Sequence, residues 1–257
     1  MKRSLEEVAI EMFEPEELKP VAKTRQYREV VILQACVILS SMLLDDIFSV
    51  LQLSRQEWVF VSLHLAMTAA YFFVIWGLVR GLSKSPWMLM LFFAAIVSIF
   101  GISLAATNPF LRVFEDPRPW LIGEHALAAA VGMWVTFLVF RDIFLARSVT
   151  GNDVWGAVCI LLLITLFFAG LFNILILIDP GAIGVAAEPG YGSVSEALYS
   201  SMCAIIGNSP AYSSMSYPAR NLVAVEGFIG NLYLVVLMGR LINLASSSEA
   251  PRTEQEQ

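Results

Sequence analysis

Residues 193–206 read SVSEALYSSMCAII, a stretch apolar enough to enter a membrane but too short to cross one. A long apolar run, Val154–Ile178, precedes it, and another, Leu222–Leu244, follows it. A helical span needs about 20 mostly apolar residues, because the hydrocarbon core is roughly 30 Å thick and a helix rises about 1.5 Å per residue. A short run held between two spans fits a re-entrant segment, which dips into the bilayer and returns.

Working outward, four further runs qualify as spans, roughly Val30–Leu53, Trp58–Val79, Trp87–Ala106 and His125–Phe144. The expectation is six spans and one re-entrant helix. Composition agrees: 58% of the 257 residues are hydrophobic and 15% charged, against about 45–50% and about 25% in a soluble domain. Trp58, Trp87 and Trp120 fall near span ends, where indoles favour the interface. The segment from Ser4 (SLEEVAIEMF) reads either as a short amphipathic helix on the membrane surface or as a partly ordered tail. The last residues, SSSEAPRTEQEQ, read as disordered.

Charge sets the orientation. With the N-terminus inside, only Arg55, Arg112, Arg118 and Arg220 of the 16 Lys and Arg face outward. Cytoplasmic segments carry the excess of Lys and Arg in membrane proteins, so both termini are expected in the cytoplasm of a multi-pass cell-membrane protein.

Several functions are disfavoured. No basic stripe points to nucleic acid. His64 and His125 are the only histidines. No metal-spaced cluster, phosphate loop or Ser–His–Asp set accompanies them, so neither an enzyme nor a cofactor is expected. Cys36, Cys159 and Cys203 fit no zinc or disulfide pattern, and the first two read as packing residues. The fourth span, HALAAAVGMWVTFLVF, has no arginine. A voltage sensor needs several, each charge contributing about 2.3 kcal/mol per 100 mV.

The last third has a physical plan: long helix, Gly/Pro-rich outer loop, short helix, non-helical stretch with Gly207-Asn208-Ser209-Pro210, then a final helix. A short helix stopping partway through the membrane can point its dipole at a central cavity. The final span with its lead-in reads YPARNLVAVEGFIGNLYLVVLMGRLINL. In its Ala219, Arg220, Glu226, Gly227, Gly230, Leu232, Tyr233 and Arg240, this stretch resembles the pore of the bacterial potassium-channel-like family. The likeness covers residues 199–244, under a fifth of the chain. It implies an all-α membrane protein of six transmembrane helices, with a re-entrant pore helix and filter between the fifth and sixth. It also implies a homotetramer in the lipid bilayer that passes monovalent cations, K+ or Na+. The chain then divides into a cytoplasmic segment (1–29), a four-helix peripheral bundle (30–147), a pore domain (153–245) and a tail (246–257).

The resemblance lays the family's filter, Thr-Val-Gly-Tyr-Gly-Asp, over Cys203, Ala204, Ile205, Ile206, Gly207 and Asn208. Gly207 keeps the second glycine, Asn208 replaces the acid, and Ile205 replaces the first glycine. A β-branched residue resists the backbone angles that aim filter carbonyls at an ion, which argues against strict potassium selectivity. Cys203 stands either at the innermost ion site or as packing behind it. Glu226 reads either as a brace behind the pore loop, accepting hydrogen bonds from its backbone, or as a carboxylate reaching the outer interface. Gly227 and Gly230 allow a bend or a close approach, with Gly230 a gating-hinge candidate, and Asn231 is placed facing the cavity. The alternative to a conducting channel is a non-conducting pore-like protein with a regulatory or assembly role, and it draws on the same isoleucine.

Overall fold

The structure, a computed structural model, describes residues 20–51, 57–83, 85–107, 114–145, 151–186, 191–208 and 214–249. Among these residues every regular element is a helix: α1 (Pro20–Leu51), α2 (Glu57–Leu82), α3 (Pro86–Thr107), α4 (Arg118–Leu145), α5 (Gly151–Ile178), α6 (Tyr191–Ile205) and α7 (Tyr217–Glu249). Proline marks several starts. Pro20 and Pro86 open α1 and α3, while Pro119 and Pro218 are second in α4 and α7. The missing N–H of proline does no harm there, since the first-turn amides lack intrahelical partners anyway. Asp116 Oδ1 accepts the Arg118 N–H at 3.0 Å and caps α4.

Among the described residues, five helices are long and apolar enough to cross a membrane: they contain Leu65–Leu82, Pro86–Ala106, Arg118–Phe144, Val154–Ile178 and Tyr217–Gly239. The chain is a membrane protein on that ground. Helix α1, at 32 residues, is long enough but is not among the five. Large apolar side chains are exposed along the outward faces, among them Phe73, Trp87, Phe137, Phe228 and Val235. Such a surface suits lipid, which is as apolar as the side chains that meet it.

Helix α5 stands at the centre, packed against α1, α4, α6 and α7. The main interior cluster joins Val30 of α1, Leu78 of α2, Leu89 of α3, Val139 of α4, Cys159 and Ile160 of α5, and Tyr233 of α7. The first four helices and the last third thus share one interior. Aromatic rings stitch the bundle, with Trp76 on Phe92 and Phe93, and Phe92 on Trp134. Tyr27 Oη donates to Asp142 Oδ2 at 2.7 Å and joins the start of α1 to the end of α4.

Some boundaries move. α1 starts at Pro20, well before Val30, and the Arg25–Glu29 ion pair, four residues apart, lies along its first turns. α7 runs on to Glu249, where a structureless tail was expected from Ser246. Extending an existing helix needs no new nucleus, so polar residues follow it readily. Residues 1–19, which hold the expected surface helix, and 250–257 lie outside the described set, as does the side chain of His64. Cys159 is buried as expected of a packing residue, but Cys36 is exposed on the outward side of α1.

Candidate functional site

The site forms where α6 ends against α7. Helix α6 has 15 residues and spans about 22 Å at the usual rise, short of a bilayer. Its buried face is built of Ser193, Ala197, Ser200, Ser201 and Ala204 with Leu198 and Ile205. Small side chains let helix backbones approach closely, which suits a helix wedged between α1, α5 and α7. Ser195 Oγ donates to Met42 O of α1 at 3.4 Å, and Ser201 Oγ to Thr165 O of α5 at 2.8 Å.

Glycine closes α6. Gly207 has φ of 78°, the left-handed region that side chains resist. Its N–H donates to Ala204 O at 2.9 Å, and the Asn208 N–H to Cys203 O at 2.8 Å. This pair of bonds is the Schellman motif, with Gly207 in the position that glycine favours. The alignment with a filter is corrected accordingly. Cys203, Ala204 and Ile205 are the last residues of α6, and the carbonyls of the first two are occupied by the cap. The non-helical stretch begins at Ile206. From there Ile206, Gly207 and Asn208 are exposed, and Ser209–Ser213, including Pro210, lie outside the described residues.

Glu226 has no exposed surface, so the interfacial reading fails. Its Oε1 lies 2.5 Å from Ser201 Oγ. The contact differs from the expected one: Glu226 meets a side-chain hydroxyl of α6, and no backbone amide is bonded to it among the described residues. Ser201 holds one proton for two acceptors, Thr165 O and Glu226 Oε1. It serves one of them unless the carboxyl supplies a second proton. Glu226 Oε2 and Ser200 Oγ are buried without partners among the described residues.

The glycines of α7 complete this contact. A Cβ on Gly227 would stand 3.1 Å from Ala204 O, and one on Gly230 would stand 2.7 Å from Ile205 O. Both glycines serve close approach to the end of α6. Glu226 and Gly230, one turn apart, therefore lie on one face of α7, and Tyr233 continues it by donating to Ala157 O of α5 at 2.7 Å. Asn231 is on the other side of α7 and exposed, with its Nδ2 3.9 Å from where a Cβ on Gly207 would be. Ile206, 65% exposed, and Phe228, 69% exposed, leave this outward face open.

The structure places Glu226, Gly227 and Gly230 against the end of α6, and sequence reasoning missed Ser201 and Thr165 there. Both are polar residues in apolar surroundings, and that was the available signal. The described residues hold no group of three or more His, Cys, Asp or Glu that could hold a metal ion. No protein-family model, curated protein or solved structure matches the chain.

Proposed function

We propose that the chain is one subunit of a homotetrameric pore-loop channel for monovalent cations. One observation carries the reading. Ser201, four residues before the end of α6, bonds to Thr165, near the middle of the 28-residue span α5. In a bilayer with α5 upright, α6 stops at mid-depth. Backbone that ends there must line water or be buried in protein, and a helix C-terminus carries the partial negative charge that attracts cations. α7, with its open face bearing Asn231, is then the inner lining helix. An amide on an exposed face of a span is costly in lipid, so water or another copy of the chain covers it. With α1 crossing as a sixth span, both termini are cytoplasmic, and the Tyr27–Asp142 bond pairs two ends on that same side.

A second reading, a non-conducting protein of the same architecture, is favoured by the cap. The carbonyls of Cys203 and Ala204 each already accept a cap hydrogen bond and belong to a helix end rather than to an extended filter strand. The test is flux from liposomes reconstituted with the purified protein under potassium, sodium and chloride gradients, with subunit number from native mass spectrometry. The channel reading expects four subunits and cation flux with weak preference for potassium. Four subunits and no flux under any gradient select the second reading. A monomer removes both.

A further inference from the structure

Three oxygens meet where α5, α6 and α7 come together. Ser201 Oγ lies 2.8 Å from Thr165 O and 2.5 Å from Glu226 Oε1. Both are hydrogen-bond separations, and each needs a hydrogen between its two oxygens. Thr165 O is a carbonyl and brings none, while Ser201 brings one. The second can come only from Glu226. A protonated carboxyl donates to Ser201 Oγ and leaves the hydroxyl proton for Thr165 O. An ionised carboxylate would take that proton for itself, and two bare oxygens would then face each other across 2.8 Å.

The surroundings agree with this count. Glu226 is fully buried, and its Oε2 has no partner among the described residues. In the ionised form that oxygen would share a full charge without a single hydrogen bond, and a buried charge without a partner is strongly unfavourable. The titratable and charged side chains of the same helices are placed elsewhere. Cys159 of α5 belongs to the main interior cluster, and Tyr233 of α7 donates to Ala157 O. Arg220 of α7 lies over the Tyr217 ring at 5.1 Å. Cys203 of α6, two residues past Ser201, is on another face of its helix, and Glu196 is more than a turn before Ser201. Among the described residues Ser201 is the one side chain that acts on the carboxyl, and no counter-charge does.

We propose that Glu226 carries a proton in the folded protein at neutral pH, and that this proton ties the short helix α6 to α5 and α7 at once. Its loss would turn Ser201 toward the carboxylate and release Thr165 O. The depth at which α6 is held against α5 is thereby sensitive to alkaline pH. The proposal concerns this contact alone and stands apart from the channel reading.

The test uses the full chain reconstituted in lipid, with infrared spectra of wild type and Glu226→Gln. At neutral pH the wild type should show the carbonyl stretch of a protonated carboxyl that Glu226→Gln lacks. Ser201→Ala, which removes the acceptor of that proton, should keep the band and move its frequency. Identical spectra of wild type and Glu226→Gln overturn the proposal, as does a band that appears only in the ordinary carboxyl range, near about pH 4.3. Unfolding supplies a second readout. The folded chain holds a proton that the unfolded chain gives up, so stability falls as pH rises above that range. Relative to Glu226→Gln, the unfolding constant of the wild type should grow by up to about tenfold per pH unit between about pH 5 and pH 7. Parallel pH profiles of the two proteins overturn the proposal. If Glu226→Gln does not fold, the band in wild type and its displacement by Ser201→Ala decide, and an undisplaced band counts against it.

Discussion

Glu226 and Ser201 form a pair in which the two partners are not equally replaceable. Ser201→Ala leaves a fully buried carboxyl with no partner at all. Glu226→Gln keeps the size and a group able to bond the hydroxyl. Stranding a buried polar group costs about 1–3 kcal/mol, more when it is charged. Thermal unfolding in detergent should therefore show Ser201→Ala clearly more destabilising than Glu226→Gln, and the double variant should fall short of the sum of the singles. Equal and additive losses would mean the contact bears no load. The glycines make a parallel comparison. Gly230→Ala drives a Cβ to 2.7 Å from the Ile205 carbonyl, whereas at Gly239 a Cβ meets nothing within 4 Å. Overpacking of this kind costs about 1–3 kcal/mol. Gly230→Ala should lower the unfolding temperature while Gly239→Ala leaves it unchanged or slightly raises it. A bending role for Gly230 without close packing would give the opposite ranking of stability and flux. Much of this was legible in the sequence. Glu226-Gly227 followed by Gly230 announces a face of α7 that another backbone approaches. The identity of that backbone was not legible, because Ser201 and Thr165 differ from other small polar residues only through contacts made in three dimensions.

At the scale of the element, α6 decides most. Its existence and length follow from a short apolar run with small residues in phase. Its end does not, because Cys203, Ala204 and Ile205 suit a helix and an extended strand about equally, and only the cap at Gly207 fixes the boundary. Gly207→Ala forces a side chain into the left-handed region and should cost about 1–2 kcal/mol, read as lost thermal stability. Ile205→Gly gives a sharper test. Were Ile205 in an extended filter, glycine there would restore the family's pattern and raise potassium preference. As the last helical residue, 4% exposed and packed on Gly230, it is a core side chain. Its loss should cost about 3–5 kcal/mol, adding a cavity to glycine's helix penalty, and leave reversal potentials where they were. A shift toward potassium would reinstate the filter alignment.

The whole molecule is arranged around α5, with one broad face of α7 unused. Phe228 and Val235 are each 69% exposed there, and Phe73 of α2 is 77% exposed. In a tetramer the first two come near copies of themselves around the axis, while the third faces lipid. A single cysteine at position 228, with Cys36, Cys159 and Cys203 replaced by serine or alanine, should oxidise in native membranes to a covalent dimer, the largest product one thiol per subunit allows, and native mass spectrometry of that product should still count four subunits. A cysteine at position 73 should yield monomer on the same gel. Covalent dimer from both positions, or from neither, would remove the fourfold arrangement. Hydropathy made the membrane-spanning helices legible, since long apolar runs are written directly in the sequence. The shared interior was not legible, because nothing in a run of Leu, Ile and Val says which neighbour it will meet.

The strand of chain that leaves α5 comes back almost to where it left. The turn after α5 is held by Asp179, whose Oδ1 accepts the Gly181 N–H at 3.1 Å, and Ile183 is fully buried beneath it. The Ser216 N–H, just ahead of α7, donates to Ala182 O at 2.8 Å. Everything from Ile183 to Met215 is therefore an excursion knotted at its neck. The seats of α5 and α7 at this end are thus tied through backbone atoms alone, a tie that no side-chain change at position 182, and none short of proline at position 216, removes directly.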